Sequence, residues 1–99
     1  MTTLEVLRAA RAHLSDPARW YRGDFCESDW DGPKGQAPCC ALGAVGLFAC
    51  GKGSAYEALQ AVLPEPRGSV TFYNDAPSTT HADILALYDR AIAAEEARQ

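Results

Sequence analysis

Residues 39–50, CCALGAVGLFAC, form the most apolar stretch of the chain and contain no charged residue. The stretch is shorter than the roughly 20 residues that a membrane-spanning helix needs. It therefore predicts a buried central helix, closed by Gly51 just after its end. Gly43 and Gly46 each lower helix stability by about 1 kcal/mol, so we expect a neighbouring backbone to approach the helix closely at these two positions.

Local signals outside this stretch predict the remaining helices. Three of them begin with a capping box, in which a Ser or Thr and an acidic residue three positions later bond each other's backbone: Thr2 with Glu5, Ser54 with Glu57, and Thr80 with Asp83. Pro17 is favoured in a first helical turn, so it predicts one more short helix over residues 17–22.

One segment differs from the helical pattern. Residues 69–73, SVTFY, are rich in β-branched and aromatic side chains and predict a short strand. Residues 23–38 combine Gly, Pro and acidic residues, which are typical of a long structured loop. The predicted fold class is mainly α, a compact bundle of four principal helices plus a short one, with one short strand or hairpin beside the long loop. A length of 99 residues fits a single domain over residues 1–99.

Charge and cysteine content exclude several classes of function. The formal net charge of −4 argues against a nucleic-acid surface, because phosphate binding depends on Lys and Arg.

The start MTTLEVLRAA lacks the pattern of a signal peptide, so we expect a cytoplasmic protein that does not engage a membrane. In that reducing compartment the four cysteines are expected to be free thiols. The chain has no zinc-ligand spacing and no phosphate-binding glycine motif, and we predict neither metal nor cofactor.

Several short motifs follow one another along the chain. They are Trp20 with Gly23, the run CALGA at residues 40–44, Asn74-Asp75, and the Thr-x-x-Asp-Ile-Leu and Asp-Arg-Ala-Ile patterns within residues 80–92. In order and spacing they resemble a small domain family of unknown function that is found in actinobacteria and their phages. The resemblance implies a phage or actinobacterial origin and a mainly helical fold, and it transfers no catalytic residue.

Aromatic side chains are concentrated in two irregular regions, next to arginines, and such side chains dominate protein interfaces. We predict a non-enzymatic interaction protein whose partner is another protein, a host protein if the chain is phage-encoded. Binding between two copies of this chain is the other arrangement that the sequence allows. The predicted surface combines the segments 19–38 and 72–76 through eight residues: Arg19, Trp20, Arg22, Phe25, Trp30, Tyr73, Asn74 and Asp75.

The alternative is a small cysteine-dependent hydrolase or transferase. Cys39 or Cys40 would be the nucleophile, because a helix start stabilises a thiolate. His81 would then act as the base, oriented by Asp75. Each residue also has a structural interpretation, since cysteine is a common small core residue and an Asn-Asp pair is typical of turns.

Overall fold

The computed structural model describes residues 2–23, 26–27, 30–33, 37–48, 54–64 and 68–98. In these residues it has five α-helices and one 3-10 turn: α1 Thr3–Leu14, the turn Pro17–Arg19, α2 Ala41–Phe48, α3 Ser54–Ala61, α4 Val70–Asp75 and α5 His81–Ala97. The prediction of a mainly helical fold with four principal helices is confirmed. Within this part of the chain, no helix is both long enough and apolar enough to cross a membrane.

The predicted capping boxes of α1 and α5 are both present. At α1, the Thr2 hydroxyl accepts from the Glu5 amide at 3.1 Å, and the Glu5 carboxylate accepts from the Thr2 amide at 2.7 Å. At α5, Thr80 and Asp83 make the same pair of hydrogen bonds, at 3.2 and 2.9 Å. The two longest helices are therefore started by local interactions that need no help from the rest of the fold.

The core lies where α1 packs against α2 and α5, with α3 packed across α5. Its largest fully buried side chains are Leu7, Leu14, Leu59, Ile84, Leu87 and Tyr88. Helix α2 contributes small residues to this core, which lets its backbone approach the other helices closely. The Tyr88 hydroxyl donates to the carbonyl of Ala41. His13 is buried beside this core, with Nε2 at 2.8 Å from the carbonyl oxygen of Ala37.

The predicted strand at residues 69–73 is wrong, because this segment begins helix α4. The Ser69 hydroxyl accepts from the Phe72 amide at 3.0 Å and caps the helix. Val70 and Asn74, one turn apart, are both buried. This burial and the cap outweigh the weak strand preference of a β-branched and aromatic run. The strand pairing found in the described residues is limited to isolated bridges, in which Cys39 lies opposite both Trp20 and Cys26.

Candidate functional site

Asn74 is the polar centre of the region where the 20–23 segment, α2 and α4 meet. It is fully buried. Its Oδ1 accepts from the Trp20 indole N–H at 2.6 Å and from the Ala41 backbone N–H at 2.9 Å. Its Nδ2 donates to the Tyr21 carbonyl and to the Asp75 carboxylate, both at 3.0 Å. We call this set of hydrogen bonds the Asn74 network; it satisfies the whole bonding capacity of the buried amide.

Asp75 connects the network to the turn that follows Tyr21. Its Oδ1 also accepts from the Gly23 amide at 3.0 Å. Gly23 has a φ of 99°, a left-handed conformation that favours glycine. Asp75 therefore holds a turn that glycine makes accessible, and its carboxylate remains exposed to solvent.

Trp20 contacts Arg22, which was predicted to bind a partner, and His81, which was predicted as a catalytic base. The guanidinium carbon of Arg22 lies 4.8 Å from the centroid of the Trp20 ring, a cation–π contact, and Arg22 also donates to the Thr79 carbonyl. The His81 ring centroid lies 5.9 Å from that of Trp20. His81 Nε2 is 2.6 Å from the carbonyl oxygen of Leu14. Arg22 and His81 thus both lie against the indole ring of Trp20.

The other residues of the predicted binding surface are placed differently. Trp30 is 37% exposed, and its indole N–H donates to the carbonyl of Pro33 at 2.9 Å, within its own loop. Tyr73 is half-buried and packs against the core. The Arg19 carbonyl accepts from the Cys39 amide at 2.8 Å. Phe25 lies outside the described residues.

The expectation of free thiols is wrong for Cys26 and Cys39 and is met by Cys40. Cys26 and Cys39 form a disulfide, and their Cα atoms are 3.9 Å apart because the two ends of the loop pair with each other. Cys40 is a free, buried thiol at the start of α2, where its sulfur accepts from the Gly43 amide at 3.2 Å. Burial raises the pKa of the Cys40 thiol and outweighs the lowering by that hydrogen bond. The expected stabilisation of a thiolate is therefore reversed by desolvation.

The cysteine-dependent alternative gains no support from these contacts. Cys39 is fully buried and bonded, and Cys40 is 1% exposed. In the described part of the chain, no hydrogen bond joins Cys40 to His81 or Asp75, and every buried side-chain nitrogen and oxygen already has a partner. A nucleophile needs a base within hydrogen-bond distance.

The most exposed large apolar side chain among the described residues, Phe72, lies in the predicted segment 72–76 but was absent from the eight residues named for the predicted surface. Phe72 is 73% exposed, and its ring lies against the backbone of Gly68, where an added Cβ would be 3.1 Å from the ring. Beside it is a cleft of about 260 Å³ lined mainly by Leu63, Pro64, Phe72, Tyr73, Ala76 and Thr79. We call this cleft with the adjoining Arg22 the Phe72 surface. A cap at Ser69 with Val70 facing inward is the sequence signal that places Phe72 outside.

A second depression, the Cys26 groove, lies on the α2–α3 side of the molecule. It has a volume of about 330 Å³ and is lined by Cys26, Leu42, Gly43, Gly46, Leu47 and Tyr56. The expected close approach of a backbone at Gly46 is not found among the described residues, where a Cβ added at Gly46 would meet the Tyr56 hydroxyl at 3.9 Å and no backbone outside its own helix. Gly46 instead leaves this groove open.

Comparison with known proteins gives one match. A model of a family of unknown function, DUF6197, matches residues 1–94. No curated protein and no solved structure matches the chain. The match covers α1 to α4 completely and α5 as far as residue 94.

Proposed function

The chain belongs to DUF6197, a family of unknown function, and from its geometry we propose that it is a non-enzymatic interaction protein. Its contact site would be the Phe72 surface. The observation that carries this proposal is the 73% exposure of Phe72 next to an apolar cleft. A single exposed apolar side chain is ordinary on a protein surface, but aromatic residues are enriched at protein interfaces, and this ring lines an apolar cleft.

The shape and charge of this surface indicate the chemistry of the partner. The cleft volume of about 260 Å³ is suited to one apolar side chain. Arg22 donates to the carbonyl of Thr79, one of the residues that line the cleft, and its contact with Trp20 also holds the guanidinium in place. A side chain that is already ordered loses less entropy on binding. We therefore propose a partner segment with an apolar residue for the cleft and an acidic residue for Arg22.

The Asn74 network supports this surface from beneath. It fixes α4, which carries Phe72 and Tyr73, against the segment that carries Arg22. Of the residues proposed from the sequence, Trp20 and Asn74 then act as scaffold and Arg22 and Tyr73 as contacts. In keeping with the family resemblance, we propose an actinobacterial or phage origin and a host protein in the cytoplasm as the partner. Association of two copies is the competing outcome.

The test compares two surface variants with a matched control. The unchanged chain and the variants Phe72→Ala and Arg22→Gln are immobilised and exposed to actinobacterial lysate. A protein that only the unchanged chain retains is identified and purified. Its affinity for each form of the chain is then measured by titration. Trp30→Ala is the control, because Trp30 is also exposed and aromatic but bonds within its own loop.

We expect Phe72→Ala to weaken the titrated affinity by roughly 30-fold, the effect of an interface residue worth about 2 kcal/mol. Trp30→Ala should leave the affinity within about twofold, since most interface-distant changes are neutral. Equal binding by all variants would refute the proposed surface. A dimer that Phe72→Ala dissociates, seen by size-exclusion chromatography, would replace the host protein with a second copy.

A further inference from the structure

The Cys26–Cys39 disulfide has one accessible end and one protected end. Cys26 is half-buried and lines the Cys26 groove. Cys39 is fully buried and does not line it. In thiol–disulfide exchange the incoming thiolate attacks one sulfur in line with the bond and expels the other. The groove therefore leaves Cys26 as the sulfur that an external thiol can attack and Cys39 as the leaving group.

The groove beside this sulfur is apolar and open. Leu42, Leu47 and Tyr56 supply its side chains, and Gly46 adds none. Glycine weakens a helix interior, and among the described residues no backbone outside its own helix lies within 4 Å of a Cβ added at Gly46. The small residue keeps space free next to the disulfide. The groove also shares Leu42 and Tyr56 with a further depression of about 460 Å³ along α3, so an extended segment has room to continue past the sulfur.

The backbone around Cys39 is held independently of the disulfide. The Cys39 amide donates to the Arg19 carbonyl at 2.8 Å, and its carbonyl accepts from the Tyr21 amide at 2.9 Å. On the other side, the Glu27 amide donates to the Pro38 carbonyl at 2.9 Å. These bonds keep residues 26 and 39 opposite each other when the sulfurs separate. The two cysteines are thus positioned to form the bond again.

We propose that Cys26–Cys39 is a thiol–disulfide exchange site whose co-reactant is a dithiol partner protein with a cysteine flanked by apolar residues. The partner's first thiolate attacks the Cys26 sulfur, the Cys26–Cys39 bond breaks, and Cys39 leaves with the electron pair as a thiolate, which takes up one of the two protons that the partner's thiols release. The partner's second thiolate then attacks the partner sulfur of the mixed disulfide and releases Cys26 as a thiolate, which takes a proton from solvent in the groove. The partner is oxidised to a disulfide and this chain is reduced by two electrons. The site shares no residue with the Phe72 surface.

The test uses two peptide probes on a Cys40→Ser, Cys50→Ser chain, which retains only the bonded pair. The probes are acetyl-Leu-Cys-Leu-amide and acetyl-Gly-Cys-Gly-amide, applied to the oxidised protein and quenched with acid. Peptide mapping locates the mixed disulfide, and alkylation measures the rate at which the Cys26–Cys39 bond is lost. We expect adducts on Cys26 and at least tenfold faster reduction by the leucine peptide.

Two substitutions at position 46 test whether the preference for the leucine peptide comes from the groove or from the intrinsic reactivity of the disulfide. Gly46→Leu fills the groove and should abolish the preference for the leucine peptide. Gly46→Ala adds one methyl group at an ordinary distance from Tyr56 and should keep it. Adducts on Cys39, equal rates with both peptides, or the same preference in both variants would overturn the proposal. The adduct mapping needs neither variant, so a variant that fails to fold does not remove the test.

Discussion

Substituting Asn74 by Ala should remove the most concentrated set of polar interactions in the described structure. The change leaves three buried or half-buried backbone and ring groups without their partner: the Trp20 indole N–H, the Ala41 amide and the Tyr21 carbonyl. Each such group costs about 1–3 kcal/mol when it loses its hydrogen bond. Because water reaches the half-buried Tyr21 more easily than the helix start at Ala41, we expect a total loss of about 4 kcal/mol.

This loss is a large part of the stability of a small domain, about 5–15 kcal/mol. Urea unfolding followed by tryptophan fluorescence measures it directly, and the midpoint of thermal unfolding should fall by about 20 °C. Asp75→Asn is the matched control, because it keeps an oxygen for the exposed Gly23 amide and should cost less than about 1 kcal/mol. If Asn74→Ala lowers the free energy of unfolding by no more than Asp75→Asn does, the Asn74 network does not hold the region together.

Three further predictions concern the disulfide, the free thiol and a surface ion pair. Reducing Cys26–Cys39, which closes a loop across a sequence separation of 13, should lower the free energy of unfolding by about 3 kcal/mol in urea titrations; no change on adding dithiothreitol would contradict a closed bond. Iodoacetamide should label Cys40 at least about tenfold more slowly in the native chain than in urea, since burial both hides the sulfur and raises its pKa. The hydrogen bond from Arg11 lowers the pKa of Asp89, so the pair stabilises the fold above the ordinary carboxyl pKa and loses its effect as pH falls through the lowered value. The Arg11 and Asp89 side chains are 33% and 58% exposed, so water screens the pair and Arg11→Gln should cost less than about 1 kcal/mol at pH 7, an effect that high salt reduces further; a loss that persists at low pH would point to packing instead.

The helix starts that could be predicted are those whose signal lies within one turn. Thr2 with Glu5 and Thr80 with Asp83 make the reciprocal bonds that the sequence predicts. The turn after Asp16 also forms, because its carboxylate accepts from the Ala18 amide at 3.0 Å. These interactions depend on residues two or three positions apart, so they follow from the sequence without knowledge of the packing.

The disulfide was beyond prediction because it depends on how the two ends of the loop meet. Cys26 and Cys39 are 13 positions apart, and four cysteines give several ways to pair. What selects this pair is the backbone bridging at Cys39, which brings Cys26 opposite to it. That bridging in turn uses the Arg19 carbonyl and the Tyr21 amide, which no local pattern connects to residue 39.

The candidate site shows the same dependence on distant partners within a single helix. Local preference puts the polar Asn74 outside and the aromatic Phe72 inside, whereas in α4 Asn74 is buried and Phe72 is 73% exposed. Burying an amide is tolerated only when its hydrogen bonds are made, and the groups that make them belong to Trp20, Tyr21 and Ala41. Once position 74 faces inward, position 72 is rotated from it by about 200° at 3.6 residues per turn. The exposure of Phe72 therefore follows from the inward face of α4, which carries Val70 as well as Asn74, and the proposed contact surface depends on an amide that is itself fully buried.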